Sequence, residues 1–87
     1  MYDFEYDPEK SISNLKKHGI DFDAAQELWL DPDIVEVQAK SENEPRFLII
    51  AQFAKKHWSA VITQRGSTIR IISVRRSRKT EVELYES

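Results

Sequence analysis

The 87-residue chain contains no cysteine and only two glycines, and each scarcity closes a route. Without cysteine there is no disulfide framework and no thiolate metal site, which suits a cytoplasmic protein. With only Gly19 and Gly66, no glycine-rich loop can cradle the phosphates of a nucleotide. The longest apolar run, Phe47 to Ala51, falls far short of the roughly 20 residues a membrane-spanning helix needs, so no membrane association is expected. Met1 leads straight into Tyr2, Asp3, Phe4 and Glu5, which has neither the basic start nor the apolar centre of a secretory signal. The two histidines lie far apart and the early carboxylates lack ligand spacing, so neither a metal nor another cofactor is expected. The length leaves room for one domain, residues 1–87, and one modest core.

What is present is charge, unevenly placed. The formal net charge is -2. Up to Glu44 the chain holds twelve acidic residues against four lysines, a balance of -8, and from Pro45 onward nine basic residues against three glutamates, a balance of +6. No carboxylate occurs from Pro45 through Thr80, and RIISVRRSRKTE (70–81) alone holds four arginines and one lysine. Such segregation predicts two surfaces of opposite field, one of them suited to phosphates.

Periodicity suggests an α+β domain. Residues 2–6 alternate aromatic and acidic, as in a half-buried strand with Tyr2, Phe4 and Tyr6 inward. Asp7-Pro8-Glu9 reads as a helix start, Ile12 and Leu15 share one face, Lys16 and Lys17 suit the last turn, and Gly19 supplies a left-handed stop. A second helix is expected from Phe22 to about Leu30, capped by Asp21. After Asp31-Pro32-Asp33 the period becomes two: a strand through Ile34, Val35 and Val37, the polar turn KSENEP, and the strands RFLIIAQF, WSAVITQR and IRIISVR. A terminal helix begins after Ser77 as cap, with Val82 and Tyr85 on one side. Short connections make the last four strands an antiparallel meander covered by the helices. Because IRIISVRR has apolar residues in both parities, the face its arginines take stays open.

Arg46, Arg65, Arg70, Arg75 and Arg76 are the leading phosphate ligands, since a guanidinium matches phosphate oxygens and stays charged. The alternative for any one of them is pairing with Glu44, Glu81 or Glu83. His18, at the end of the first helix beside Lys17, can move protons near neutral pH, or can simply balance the helix dipole. Tyr85 is either a core aromatic or a phenol reaching the phosphate site. Lys55, Lys56, Arg78 and Lys79 extend the basic surface, and Trp58 is the better of two tryptophans for stacking on a base. His57 reads as a solvated residue at a hairpin tip.

The segments FEYDPEK, NLKKHGIDFDAA, ENEPR, VITQR and RIISVRRSRKTEVELY together resemble the BrnT toxins, the ribonuclease half of a bacterial toxin-antitoxin pair. The most specific pieces are N-x-x-K-H-G-I-x-F at 14–22 and R-I-I-S-x-R at 70–75. Tyr6 stands where a tryptophan is usual, Val74 where alanine is common and Ala51 where glycine is common. The resemblance implies a RelE-like fold, metal-independent RNA cleavage and neutralisation by a small BrnA-like antitoxin, with operator DNA reached only through that antitoxin. Its matching positions are Lys17, His18, Glu44, Arg46, Arg65, Arg70, Arg75, Arg76 and Tyr85. RNA needs no metal to break, because its own 2′-hydroxyl attacks the adjacent phosphorus once aligned, deprotonated and relieved of charge. On this reading Arg46, Arg70 and Arg75 hold the phosphate, His18 and then Lys17 move the proton, and Tyr85 or Glu44 assists. The rival readings are a binder that holds RNA without cutting it, and a docking module for an acidic partner.

Overall fold

The computed structural model describes residues 2–40 and 43–87. In chain order the elements are β1 (Asp3–Glu5), α1 (Pro8–His18), a 3-10 helix (Ala24–Leu30), β2 (Val35–Ala39), β3 (Arg46–Phe53), β4 (Lys56–Arg65), β5 (Thr68–Arg76) and α2 (Lys79–Glu86). All five strands join one mixed sheet in the order β1-β5-β4-β3-β2. Strands β2 to β5 pair consecutively and antiparallel, whereas β1 runs parallel to β5 with Phe4 opposite Ile69. The sheet thus has five strands: the four expected to pair in sequence, and β1, which had no expected partner, as a parallel edge strand. Hairpin partners are legible from short turns, but nothing local tells β1 that its partner lies at the other end of the chain. Part of the expected KSENEP turn, Ser41 and Glu42, lies outside the described residues.

The first helix forms as its caps dictate. The Glu9 N–H donates to Asp7 Oδ1 at 2.9 Å, Pro8 occupies the first turn, and Gly19, at φ +82°, ends the helix with its N–H on the Leu15 carbonyl. Its docking is unexpected. Ile12 and Leu15 share a face that points to solvent, 58% and 49% exposed, while the polar Ser11 and Asn14 are buried. The reason is the edge of β5, which continues past the end of β1 and leaves backbone groups to satisfy. The Asn14 carboxamide donates to the Val74 and Ile20 carbonyls and accepts from the Val74 N–H, and Ser11 Oγ accepts from the Phe22 N–H.

The second helix is shorter and tighter than expected. It winds as a 3-10 helix over Ala24–Leu30, although Asp21 Oδ1 does take the Ala24 N–H at 2.8 Å. Three residues per turn align Ala25 and Leu28 on one edge, and both are fully buried. With Ile20 and Phe22 they cover one face of the sheet, packing on Ile49, Ala51, Trp58, Ala60, Ile62, Ile69, Ile71 and Val74. Phe4 and Tyr6 join this core, but Tyr2 is 56% exposed.

A β-bulge resolves the mixed parity of β5. Ile62 faces Ile71 and Val61 faces Ser73, so Ile72 is the extra residue. Ile71 and Val74 therefore both reach the core, and Arg70, Ser73 and Arg75 turn to the opposite face. Among the described residues α2 is the element on that face, at one end, and it buries none of its own residues. Its start also differs: Arg78 takes the cap position with its N–H on Glu81 Oε1, while Ser77 Oγ bonds Ser59 Oγ. The β3-β4 tip is Ala54-Lys55, both at positive φ (+54° and +64°), which moves His57 from the tip into β4.

Candidate nucleic-acid interface

Pairing register places the arginines. Arg46 on β3, Thr63 on β4 and Arg70 on β5 stand directly opposite one another, with Ala39 outside Arg46 and Glu5 outside Arg70. Residues opposed in this way project to the same side. One transverse row therefore crosses all five strands on the face that α2 leaves open, with two arginines about 10 Å apart at the backbone and a threonine between them. Arg65, two residues beyond Thr63 on the same side, extends the group toward the β2-β3 turn. A basin of about 1230 Å³, lined by Lys40, Asn43, Glu44, Arg46 and Arg65 among others, opens beside it.

The ion pairs around this row are loose. Arg65 bonds Glu44 at 3.3 Å and approaches Glu5 at 3.7 Å, and Arg70 lies 3.9 Å from Glu5. Among the described residues Arg46 makes no ion pair. Such half-exposed contacts are worth little.

Arg75 is in a different state. Its guanidinium makes a bidentate pair with Glu81, both contacts at 2.8 Å, and the same carboxylate accepts from Ser59 Oγ and the Arg78 N–H. The fork from Arg75 holds Glu81 down at a pKa of about 2 against the cost of partial burial, and Glu81 in turn raises that of Arg75. Arg75 sits opposite Ser59, four residues along β4 from Thr63 or about 13 Å. It is committed to α2 and stands apart from Arg46 and Arg70.

The remaining candidates fall in other places. Arg76 lies on the core side, its guanidinium 5.6 Å from the Trp58 ring, and that ring, 6% exposed and donating to the Phe53 carbonyl, has no face to offer a base. Arg78 and Lys79 are exposed at the start of α2, and Lys55 and Lys56 at the β3-β4 hairpin. Lys56 is about 23 Å along β4 from Thr63, so the basic residues form two groups, one at each end of the sheet. Lys17 and His18 are exposed on the last turn of α1, and among the described residues no hydrogen bond or ion pair joins them to an arginine. Tyr85 is not turned to phosphate: its hydroxyl donates to Asp31 Oδ2 at 2.7 Å, and that bond, with desolvation behind it, pushes its pKa up to about 12.

Four residues were passed over by sequence reasoning. Glu5 borders Arg70 only because β1 pairs with β5. Thr63 is an ordinary strand threonine until its neighbours across the sheet are known. His57 stands edge-on to Tyr85 at 5.1 Å, with Nε2 3.4 Å from Gln52 and 3.8 Å from Glu86. Asp31, read as a helix stop, accepts from the Gln52 and Asp33 N–H groups and from Tyr85; these bonds lower its pKa although burial acts the other way. No spacing signal marks any of them except the alternation that put Glu5 opposite Phe4 in phase.

Among the described residues no helix is long and apolar enough to cross a membrane. No curated protein matches the chain. The family described as ribonuclease toxin, BrnT, of type II toxin-antitoxin systems matches residues 6–81. That span takes in α1, the complete β2-β5 sheet and the Arg46-Thr63-Arg70 row, and the chain belongs to the BrnT family of ribonuclease toxins.

Proposed function

We propose that this protein cuts RNA without a metal ion, at the open sheet face, by directing the 2′-hydroxyl onto the adjacent phosphorus. The observation that carries the reading is the placement of Arg46 and Arg70 on either side of one strand, neither with a tight carboxylate partner among the described residues, on the face that the apolar helices do not roof. Two positive forks there neutralise the phosphate oxygens as charge builds in the transition state. Arg65 steers the strand in from the basin, and the second basic group, Lys55, Lys56, Arg78 and Lys79, lengthens the attraction along the sheet. Arg75 acts as an anchor for α2. The base is Glu5, the carboxylate nearest Arg70: it takes the 2′-hydroxyl proton as that oxygen bonds to phosphorus, the P–O5′ bond breaks, and the 5′-oxygen leaves with a proton from water, giving a 2′,3′-cyclic phosphate.

The mixed sheet with one open face supports a RelE-like fold. The same row is the natural target of a BrnA-like antitoxin, whose acidic side chains would compete with RNA for Arg46 and Arg70.

A gel assay with purified protein, RNA and EDTA tests the reading. R46A, R70A and E5Q should each suppress cleavage while melting close to wild type. H18A tests the assignment made from sequence: loss of cleavage in H18A with E5Q fully active would move proton transfer to α1. RNA that is bound but never cut would leave a binder in place of an enzyme.

A further inference from the structure

Thr63 is completely buried, and its Oγ1 is the one buried side-chain polar atom among the described residues with no hydrogen-bond partner. Buried hydroxyls in a folded protein are nearly always satisfied, and one left alone calls for a reason, such as a ligand or a catalytic duty. Stability gives none. A valine of the same shape would fill the site without an orphaned donor and suits a strand equally well. Location does give one: the hydroxyl-bearing side chain projects from β4 between Arg46 and Arg70, on the same face as both. Both arginines are long, Arg46 is exposed and Arg70 partly so, and among the described residues neither is held by a short ion pair. They can swing toward an arriving anion and uncover the floor between them.

We infer that Thr63 is a phosphate-binding residue, its Oγ1–H donating to a non-bridging oxygen of the RNA phosphate clamped by Arg46 and Arg70. This rests on the reading of the open face as the RNA site and adds the contact that sets depth and register. Arginines on long stems attract an anion but tolerate several positions. A short β-branched side chain has few rotamers and fixes one. The hydroxyl would therefore choose which phosphate oxygen faces the sheet, and with it the alignment of the 2′-hydroxyl for attack.

The test compares wild type, T63V and T63S in three measurements: thermal melting, binding of a 2′-O-methyl oligoribonucleotide that cannot be cut, and cleavage of the matching unmodified RNA. T63V should melt at or above the wild-type temperature, bind the blocked oligonucleotide about tenfold more weakly and cleave more slowly still. T63S should bind and cleave within about threefold of wild type. Wild-type affinity and cleavage in T63V would overturn the inference. So would a lower melting point in T63V, since it would reveal a structural partner for the hydroxyl. If wild type binds the blocked oligonucleotide and never cuts the unmodified one, the ribonuclease reading fails, while the T63V binding ratio still decides the role of Thr63.

Discussion

Replacing Glu81 by glutamine tests how α2 is held. The carboxylate takes both forks of Arg75 at 2.8 Å, the Ser59 hydroxyl and the Arg78 N–H, and its pKa falls from the ordinary 4.5 to about 2. At about 1.4 kcal/mol per tenfold change in proton affinity, that fall corresponds to a ceiling of about 3 kcal/mol. The side chains keep 13% and 27% of their exposure, so solvent screens part of this, and about 2 kcal/mol is the expected contribution. The sign follows from a depressed acid: the stabilisation is complete above pH 4.5 and disappears as the pH falls through about 2. Glutamine has the shape of the protonated acid but keeps no charge for Arg75. Urea unfolding of wild type and E81Q, side by side from pH 7 to pH 2, should show a gap of about 2 kcal/mol near neutrality that closes on acidification. A gap that stays constant with pH, or none at pH 7, would refute the argument that this ion pair anchors the helix.

Other consequences follow from the same geometry. Ala54 and Lys55 occupy left-handed backbone positions that cost side-chain-bearing residues about 1 kcal/mol each, so the A54N/K55G double variant should raise stability by about 1–2 kcal/mol in thermal melts. Tyr85→Phe removes a hydroxyl bonded to Asp31 and should cost about 1 kcal/mol, and in wild type that phenol should ionise near pH 12 in a spectrophotometric titration. Asn14→Leu strands the Val74 backbone groups at the β5 edge and should destabilise the protein by about 2–3 kcal/mol in the same melts. R46A and R70A should each lower the salt dependence of RNA binding by about one phosphate contact, whereas R75A should leave it unchanged.

The strands of the second half were legible because their alternation and turns are local, and so were both ends of α1, whose caps need only neighbouring residues. Three features were not. The place of β1 depends on pairing with β5 across the whole chain, and Glu5 enters the site only through it. The docking of α1 depends on an edge of β5 that β1 leaves open, so Asn14 and Ser11 are buried in place of Ile12 and Leu15. The bulge at Ile72 decides which arginines share a face, and no residue type announces a bulge there. Hence the charge cluster was visible while its division was not. Arg46, Arg65 and Arg70 stand on the open face, Arg75 is tied to Glu81 under α2, and Arg76 lies over Trp58 on the core side.

The most direct measurement is the rate of RNA cleavage by the purified protein in EDTA, for wild type and for R46A and R70A. Wild type should yield fragments ending in a 2′,3′-cyclic phosphate, and each variant should be slower by about 100-fold with an unchanged fold. Intact RNA with the wild-type protein, or wild-type rates in both variants, would contradict the account.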